Sequence, residues 1–403
     1  MSKLAGRHGA TCETGLVKFI QVFNRYLMPG GEETSVARIA RHLEGGGHRV
    51  TPFWRSSTEW IGPGAPAKLR QLCLMWRNSA MLSELADLNS RERPDSWIVH
   101  NVVPVISLGV YRLARELGVP IIQWLHNYRP LSPSGTLKAG DRQLEPDDLW
   151  IGLKETLAGS WRGRFLTGWL SLGYALCRRR GDFENVRAWI TVSEEMRRMF
   201  ERGGWPRDRV FVLHHSWDIQ NPSTGSDEGY FLFLGRMIEP KGVRFLVDLW
   251  RRPALKGVQL VLAGEGKLYD ELRQQTFPNI RCVGYVQGDE KRRLVAGCRA
   301  ILFPALWPEP LSTVAYEGYE QGKPILASKL GGMTELVLNG ETGRLLKPGD
   351  ADVWQEAIFE LYRDADLSRK LGANGRRWLE ENVSPATWNS RFNTIARQIL
   401  GKA

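Results

Sequence analysis

The 403-residue chain is 42% hydrophobic and 25% charged, which excludes a disordered or fibrous protein and leaves a globular one of two or three domains at roughly 150 residues each. Its net charge of +11 is uneven: residues 1–215 carry 30 Lys and Arg against 21 Asp and Glu, whereas residues 216–403 carry 25 against 23. The basic excess of the first half favours an anionic surface or substrate, no nucleic-acid module is recognisable, and no run reaches the ~20 apolar residues of a membrane span.

Residues 1–15 read as a flexible tail without the apolar core of a secretory signal. The five cysteines, Cys12, Cys73, Cys177, Cys282 and Cys298, show no paired or C-x-x-C spacing, so a reducing, cytoplasmic setting is expected. Residues 18–23 are the first strand candidate, followed by Gly30-Gly31 and a helical run over 34–43. Two glycines at a strand-to-helix turn let backbone amides approach a diphosphate, or simply make a tight turn. No Gly-Lys-Ser/Thr follows, and the three-glycine dinucleotide fingerprint is missing. Residues 66–89 read as a basic amphipathic helical region, 97–100 as a strand, 105–117 as a helix, and Ile121–Leu125 as a strand running into His126-Asn127-Tyr128. His126 thus falls just past a strand's carboxyl end, where open α/β sheets bind ligands; His100 holds the equivalent place on the preceding strand and reads as structural. Residues 129–160 read as a loop whose Asp147-Asp148 pair is solvated rather than metal-binding. Residues 161–180 interleave aromatics with arginines, and either lie in a lipid interface or form a buried helix with snorkelling ends. Residues 188–192 form a strand that feeds a helix capped by Ser193, with Glu194 and Glu195 in its first turn.

Residues 218–229 are polar, contain Pro, Gly and Ser, and make the linker. Beyond it, strands at 230–234 and 259–263 alternate with the helix Val243–Trp250. A strand over 280–286 precedes a helix over 289–297. Ala300–Phe303 is a buried strand; Pro304, Pro308 and Pro310 then forbid regular structure until a helix over 312–321, with Ser312 or Thr313 as its capping hydroxyl, and the strand Ile325–Ser328. Glu309 and Glu317 flank that helix start, where they suit sugar and ribose hydroxyls better than phosphate, unless they are ordinary surface acids. Alternation of strands and helices in both halves means two doubly wound α/β units in tandem. Helices over 351–362, 367–382 and 387–400 finish the chain.

Glu309-Pro310, the seven residues between the two acids, Glu317, Gly322, Pro324 and Ser328 resemble the E-x7-E signature of retaining GT-B glycosyltransferases of family 4. Gly30-Gly31-Glu32-Glu33 is similar to that family's glycine loop, and Arg236 with Lys241 to its phosphate pair. The resemblance covers residues 19–400. It implies two Rossmann-like doubly wound domains facing across a cleft: a tail (1–15), an acceptor domain (16–217), the linker (218–229), a nucleotide-sugar donor domain (230–384), and a C-terminal helix (385–403) crossing back to the first domain.

The resemblance also implies the roles. Gly30 and Gly31 give backbone donors to the phosphates, Arg236 and Lys241 neutralise the departing diphosphate, and Glu309 holds donor-sugar hydroxyls beside the amides of Leu311 and Ser312. Glu317 binds ribose, His126 sits beside the reacting sugar, and backbone groups at Tyr285 and Val286 meet the base. No metal or other cofactor is implied. The expected reaction moves a sugar from a UDP or GDP donor to a glycan or lipid-linked acceptor, in cell-surface polysaccharide synthesis, with an anionic membrane surface as a further partner of the basic first domain. Leu311-Ser312, Gly318-Tyr319-Glu320 and the segment from Leu213 to Asp218 depart from the family's usual residues, which leaves the donor sugar open. A same-fold epimerase or phosphorylase, or a non-catalytic nucleotide-sugar-binding or membrane-scaffold protein, are the competing readings.

Overall fold

The computed structural model describes residues 16–27, 31–140, 142–148, 150–223, 226–274 and 278–401; the expected tail and Gly30 lie outside them. Chain order runs β1 (Lys18–Arg25), α1 (Gly31–Gly45), β2 (Arg49–Ser56), α2 (Lys68–Trp76), α3 (Ser79–Glu92), β3 (Ser96–Val99), α4 (Gly109–Glu116), β4 (Ile121–Leu125), β5 (Lys138–Ala139), β6 (Arg142–Gln143), α5 (Ile151–Ala158), α6 (Arg164–Arg179), β7 (Val186–Thr191), α7 (Glu194–Arg202) and β8 (Val210–Val212). A second series follows: β9 (Phe231–Leu234), α8 (Val243–Trp250), β10 (Leu260–Ala263), α9 (Tyr269–Gln274), β11 (Ile280–Gly284), α10 (Gly288–Gly297), β12 (Ala300–Phe303), α11 (Val314–Glu320), β13 (Ile325–Ser328), α12 (Met333–Leu336), β14 (Gly343–Leu346), α13 (Ala351–Arg363), α14 (Ala365–Val383) and α15 (Pro385–Leu400).

Two six-stranded parallel sheets result, ordered β2-β1-β3-β4-β7-β8 and β11-β10-β9-β12-β13-β14. Their central strands are buried on both faces, as parallel sheets covered by helices require. Successive side chains point to opposite faces, so each sheet feeds two cores. In the first, Ile20, Val22, Trp97 and Val99 pack with α4 and α6, while Phe19, Ile98, Ile122 and Trp124 pack with Trp388, Phe392 and Ala396 of α15. The last helix therefore crosses back onto the first sheet. In the second, Phe231, Phe233 and Leu262 meet α8 and α13, and Leu232, Val261 and Ile301 meet α11 and α14.

The structure corrects several sequence expectations. The helical region over 66–89 is two helices, broken because the Asn78 side chain donates to Val105 O (2.7 Å) and its N–H donates to Ser107 Oγ (3.2 Å). The same tie holds 105–108 out of α4, which starts at Gly109. The supposed loop over 129–160 contains the β5–β6 hairpin and α5. Strand β8 was not expected at all. Neither hydroxyl caps α11: Thr313 holds the cap position but its side chain accepts no backbone hydrogen bond there.

Candidate functional site

Strands β9 and β12 lie side by side in the middle of the second sheet, so the segments leaving their carboxyl ends are neighbours. After β12 come the proline-rich residues 304–313, which carry Glu309; after β9 come Arg236, which is exposed, and Lys241. Lys241 Nζ lies 2.6 Å from the Glu309 carboxylate, and Trp307 Nε1 donates to Glu309 Oε1 at 3.1 Å. Behind them stand Gly331 and Gly332: a Cβ on Gly331 would lie 2.3 Å from Glu309 O, and one on Gly332 2.2 Å from Pro310 O. Gly331 also has a φ of +56°, so only glycine lets this backbone close in and let Gly332 N–H bond Glu309 O at 2.9 Å. Among the described residues no acceptor meets the N–H of Leu311 or Ser312. The Leu311 side chain packs against cores of both units, as does Trp307.

Glu317 sits on α11. Its Oε1 lies 3.1 Å from Lys291 Nζ of α10, while Oε2 is buried without a hydrogen-bond partner. Burial raises its pKa above the ordinary 4.5, with Lys291 pulling the other way. It lines an open pocket of about 270 Å³ with Lys291, Arg292 and Glu320, and with Arg38 of α1 from the first unit. Arg38 lies 4.4 Å from the Trp217 ring, and Trp217 Nε1 donates to Glu320 Oε1 at 3.0 Å. Tyr285 is exposed just past β11, and Val286 is buried among residues of the core that α11 joins.

From the first unit, His126 follows β4. Its Nε2 meets His100 Nδ1 at 3.0 Å, and its ring lies parallel to that of His215, with centroids 6.1 Å apart. Burial, and for His126 the neighbouring His100, holds both rings neutral: His100 is lowered to about 3 and His126 falls well below 6.5. His100 and His126 line a small cavity of about 20 Å³ with Glu32, Arg129 and Tyr174. Burial lifts Glu32 to about 7 although Tyr26 OH donates to it at 2.9 Å and Arg129 stands near. Gly31, expected at the phosphates, is the exposed first residue of α1. Asp147 pairs with Arg202 and Asp148 with Lys154.

Two residues after His126, Tyr128 OH donates to Pro308 O at 3.1 Å, which sets the His126 segment against the Glu309 segment. The structure thus brings Lys241, Glu309, Leu311 and Ser312 together, joins their segment to the one following His126 only through Tyr128, and puts Glu317 in its own pocket. Sequence reasoning missed Arg38, Lys291, Glu32 and Glu335. The His214-His215 doublet, two of only seven histidines, was the available signal for that last region: His214 Nε2 lies 3.2 Å from Glu335 Oε2.

Comparison with known proteins agrees with this architecture. A model described as Glycosyltransferase Family 4 matches residues 29–221, and one described as Glycosyl transferases group 1 matches residues 228–364. The O-antigen chain mannosyltransferase C of Escherichia coli is 28% identical over 176 residues, covering 42% of this chain and 47% of that one. A lipopolysaccharide core biosynthesis glycosyltransferase of Rhizobium meliloti is 28% identical over 188 residues, covering 44% and 54%. The chain spans about half the length of the curated relatives it matches. HepE of Anabaena, solved with UDP and glucose, shares the fold with a TM-score of 0.67 at 17% identity, covering 95% of this chain and 100% of that one. With one family model matched on each side of the linker and one fold shared from end to end, the chain belongs to the GT-B glycosyltransferases of family 4.

Proposed function

We propose that the protein transfers a sugar from a UDP or GDP sugar to a glycan or lipid-linked acceptor, with retention at the anomeric carbon and without a metal. The Tyr128 to Pro308 contact carries the reading, because it sets the segment that leaves β4, two residues past His126, against the segment of the other unit that carries Glu309. In transfer, the bond from the anomeric carbon to the diphosphate oxygen breaks and one to the acceptor oxygen forms on the same face. The acceptor's proton passes to the departing phosphate oxygen. Lys241 and Arg236 stabilise the charge that develops there. Glu309, with Lys241 and Trp307 holding it, orients sugar hydroxyls, and the unpartnered Glu317 Oε2 accepts from ribose. The relatives' roles in O-antigen and lipopolysaccharide synthesis support a cell-surface polysaccharide as the product.

Thermal stabilisation by UDP, GDP and ADP in the presence of a chelator tests the donor site. A nucleotide at ~100 times its dissociation constant adds about 2.7 kcal/mol. One nucleotide should stabilise the wild type and fail to stabilise Glu317→Ala; no stabilisation by any of them would remove the donor assignment. The anomeric configuration of the product, read by proton NMR, tests retention.

For a lipid-linked acceptor, α5 with α6 is the face that meets an anionic membrane on the cytoplasmic side. Among the described residues no helix is long and apolar enough to cross a membrane. Leu153, Leu157, Phe165 and Leu172 are nevertheless exposed on this antiparallel pair, beside the exposed Arg162, Arg164 and Arg179. The other face of α6 is buried in the first core through Leu170, Tyr174 and Cys177, as the buried-helix reading of 161–180 expects, while the exposed side supports the lipid-interface reading. Co-sedimentation with anionic vesicles should fall when Leu157 and Phe165 become Ser. Equal sedimentation would exclude this face.

A further inference from the structure

Gln21 and His100 are polar side chains only 0% and 1% exposed, and the reaction as described uses neither. Their hydrogen bonds admit one assignment. An indole N–H can only donate, so the atom 3.2 Å from Trp54 Nε1 is the Gln21 oxygen. The Gln21 nitrogen then donates both of its hydrogens, to Val36 O at 3.0 Å and to His100 Nε2 at 3.1 Å. A flipped amide would set two donors face to face at Trp54 and two acceptors at Val36. His100 Nε2 is therefore an acceptor, and the proton of the neutral ring sits on Nδ1, 3.0 Å from His126 Nε2. The same step repeats: His126 accepts at Nε2 and keeps its proton on Nδ1. That atom is buried and meets no protein partner.

We propose that Trp54, Gln21 and His100 are positioning residues that lock His126 in the Nδ1–H tautomer, so that it donates a hydrogen bond to an oxygen of the transferred sugar. The ligand half rests on the reading that His126 stands beside that sugar; the tautomer half does not. A buried N–H without a partner is costly in the free protein and is satisfied when a ligand oxygen arrives. As an acceptor, the same nitrogen would repel the lone pairs of a phosphate or ring oxygen.

Nitrogen NMR of the full chain carrying 15N-histidine tests this, because protonated and lone-pair ring nitrogens resonate far apart. Wild-type His126 should show its proton on Nδ1 alone. His100→Phe, which suits the aromatic contacts of His100 with Phe23 and Trp124, should release His126 to both tautomers. Its kcat/KM should fall on the order of tenfold or more, while thermal stabilisation by the nucleotide is retained. If that variant does not fold, Gln21→Leu removes the donor to His100 Nε2 and should show the same mixing. A wild-type proton on Nε2 overturns the proposal, as does a folded variant with unchanged tautomer and rate. Failure of the wild type to bind any nucleotide would instead overturn the proposed reaction and leave the tautomer to be decided by NMR.

Discussion

Lys241 and Glu309 have side chains only 17% and 7% exposed, so each is the main electrostatic compensation of the other. Lys241→Met leaves a buried carboxylate with one indole donor and should cost ~2–4 kcal/mol in denaturant unfolding. Adding Glu309→Gln removes the stranded charge and should recover most of that loss, with transfer absent in both proteins. A double variant as unstable as the single one would show that the pair does not set the stability. The histidines give a second test. His100, His126 and His215 are all held neutral by burial, so the unfolded chain binds more protons than the folded one below the ordinary 6.5. Stability should therefore fall as pH drops from 6.5 toward 3. Glu32, raised to about 7 by burial, works in the opposite sense: it adds stability that is full below 4.5 and lost as pH rises through 7. The two windows overlap between 4.5 and 6.5, where three histidines outweigh one carboxyl, so thermal melts should peak near pH 6.5 and His100→Phe should flatten the acid limb. An acid limb unchanged in that variant would mean that His100 is not held neutral.

At the scale of elements, α11 is kept in place by the bare backbone of α14. A Cβ on Gly372 would lie 1.8 Å from Gly322 O, and one on Gly375 2.3 Å from the Tyr319 ring. Gly375→Ala should cost ~1–3 kcal/mol, and because α11 carries Glu317, nucleotide affinity should weaken with it. Gly372→Ala meets backbone and should be worse, since no rotamer change relieves it. Equal melting temperatures for wild type and Gly372→Ala would refute this packing. The two glycines also show what the sequence could and could not reveal. The alternation of strands and helices, and the spacing of Glu309 and Glu317, are local signals, and both sheets were legible from them. What escaped is tertiary. The break at Asn78 depends on Val105 and Ser107. Helix α5 buries only Ile151 and Glu155 along its length, too little to print an apolar period. The partners of His126 lie on β1, β2 and the end of β3, brought together only by the order of strands in the sheet.

Over the whole molecule, the chain crosses between the two units at 213–230 and again near Ser384, and the crossings are tied by Trp217 N–H donating to Val383 O at 2.9 Å. Beside them Glu335 of α12 accepts from the N–H groups of Glu194 and Glu195, both at 2.8 Å, at the first turn of α7 in the other unit. Burial alone would raise this carboxyl, but the bonds from His214 and those two amides outweigh it and hold it below the ordinary 4.5. Glu335 is thus a charged latch at a helix N-terminus, where the helix dipole adds to the bonds. It helps hold the arrangement in which Arg38 of the first unit shares a pocket with Glu317 of the second. Glu335→Ala removes the latch and leaves the residues lining the Glu317 pocket intact. The free protein should then populate an open form, seen as a larger radius of gyration in solution scattering. Apparent nucleotide affinity should fall by the fraction still closed, whereas kcat at saturating donor and acceptor should change little, because bound ligands pull the units together again. Unchanged scattering with weakened affinity would place Glu335 in ligand contact instead. Unchanged scattering and affinity would mean that the crossings, the Tyr128 contact and the packing of Trp307 and Leu311 hold the units together without Glu335.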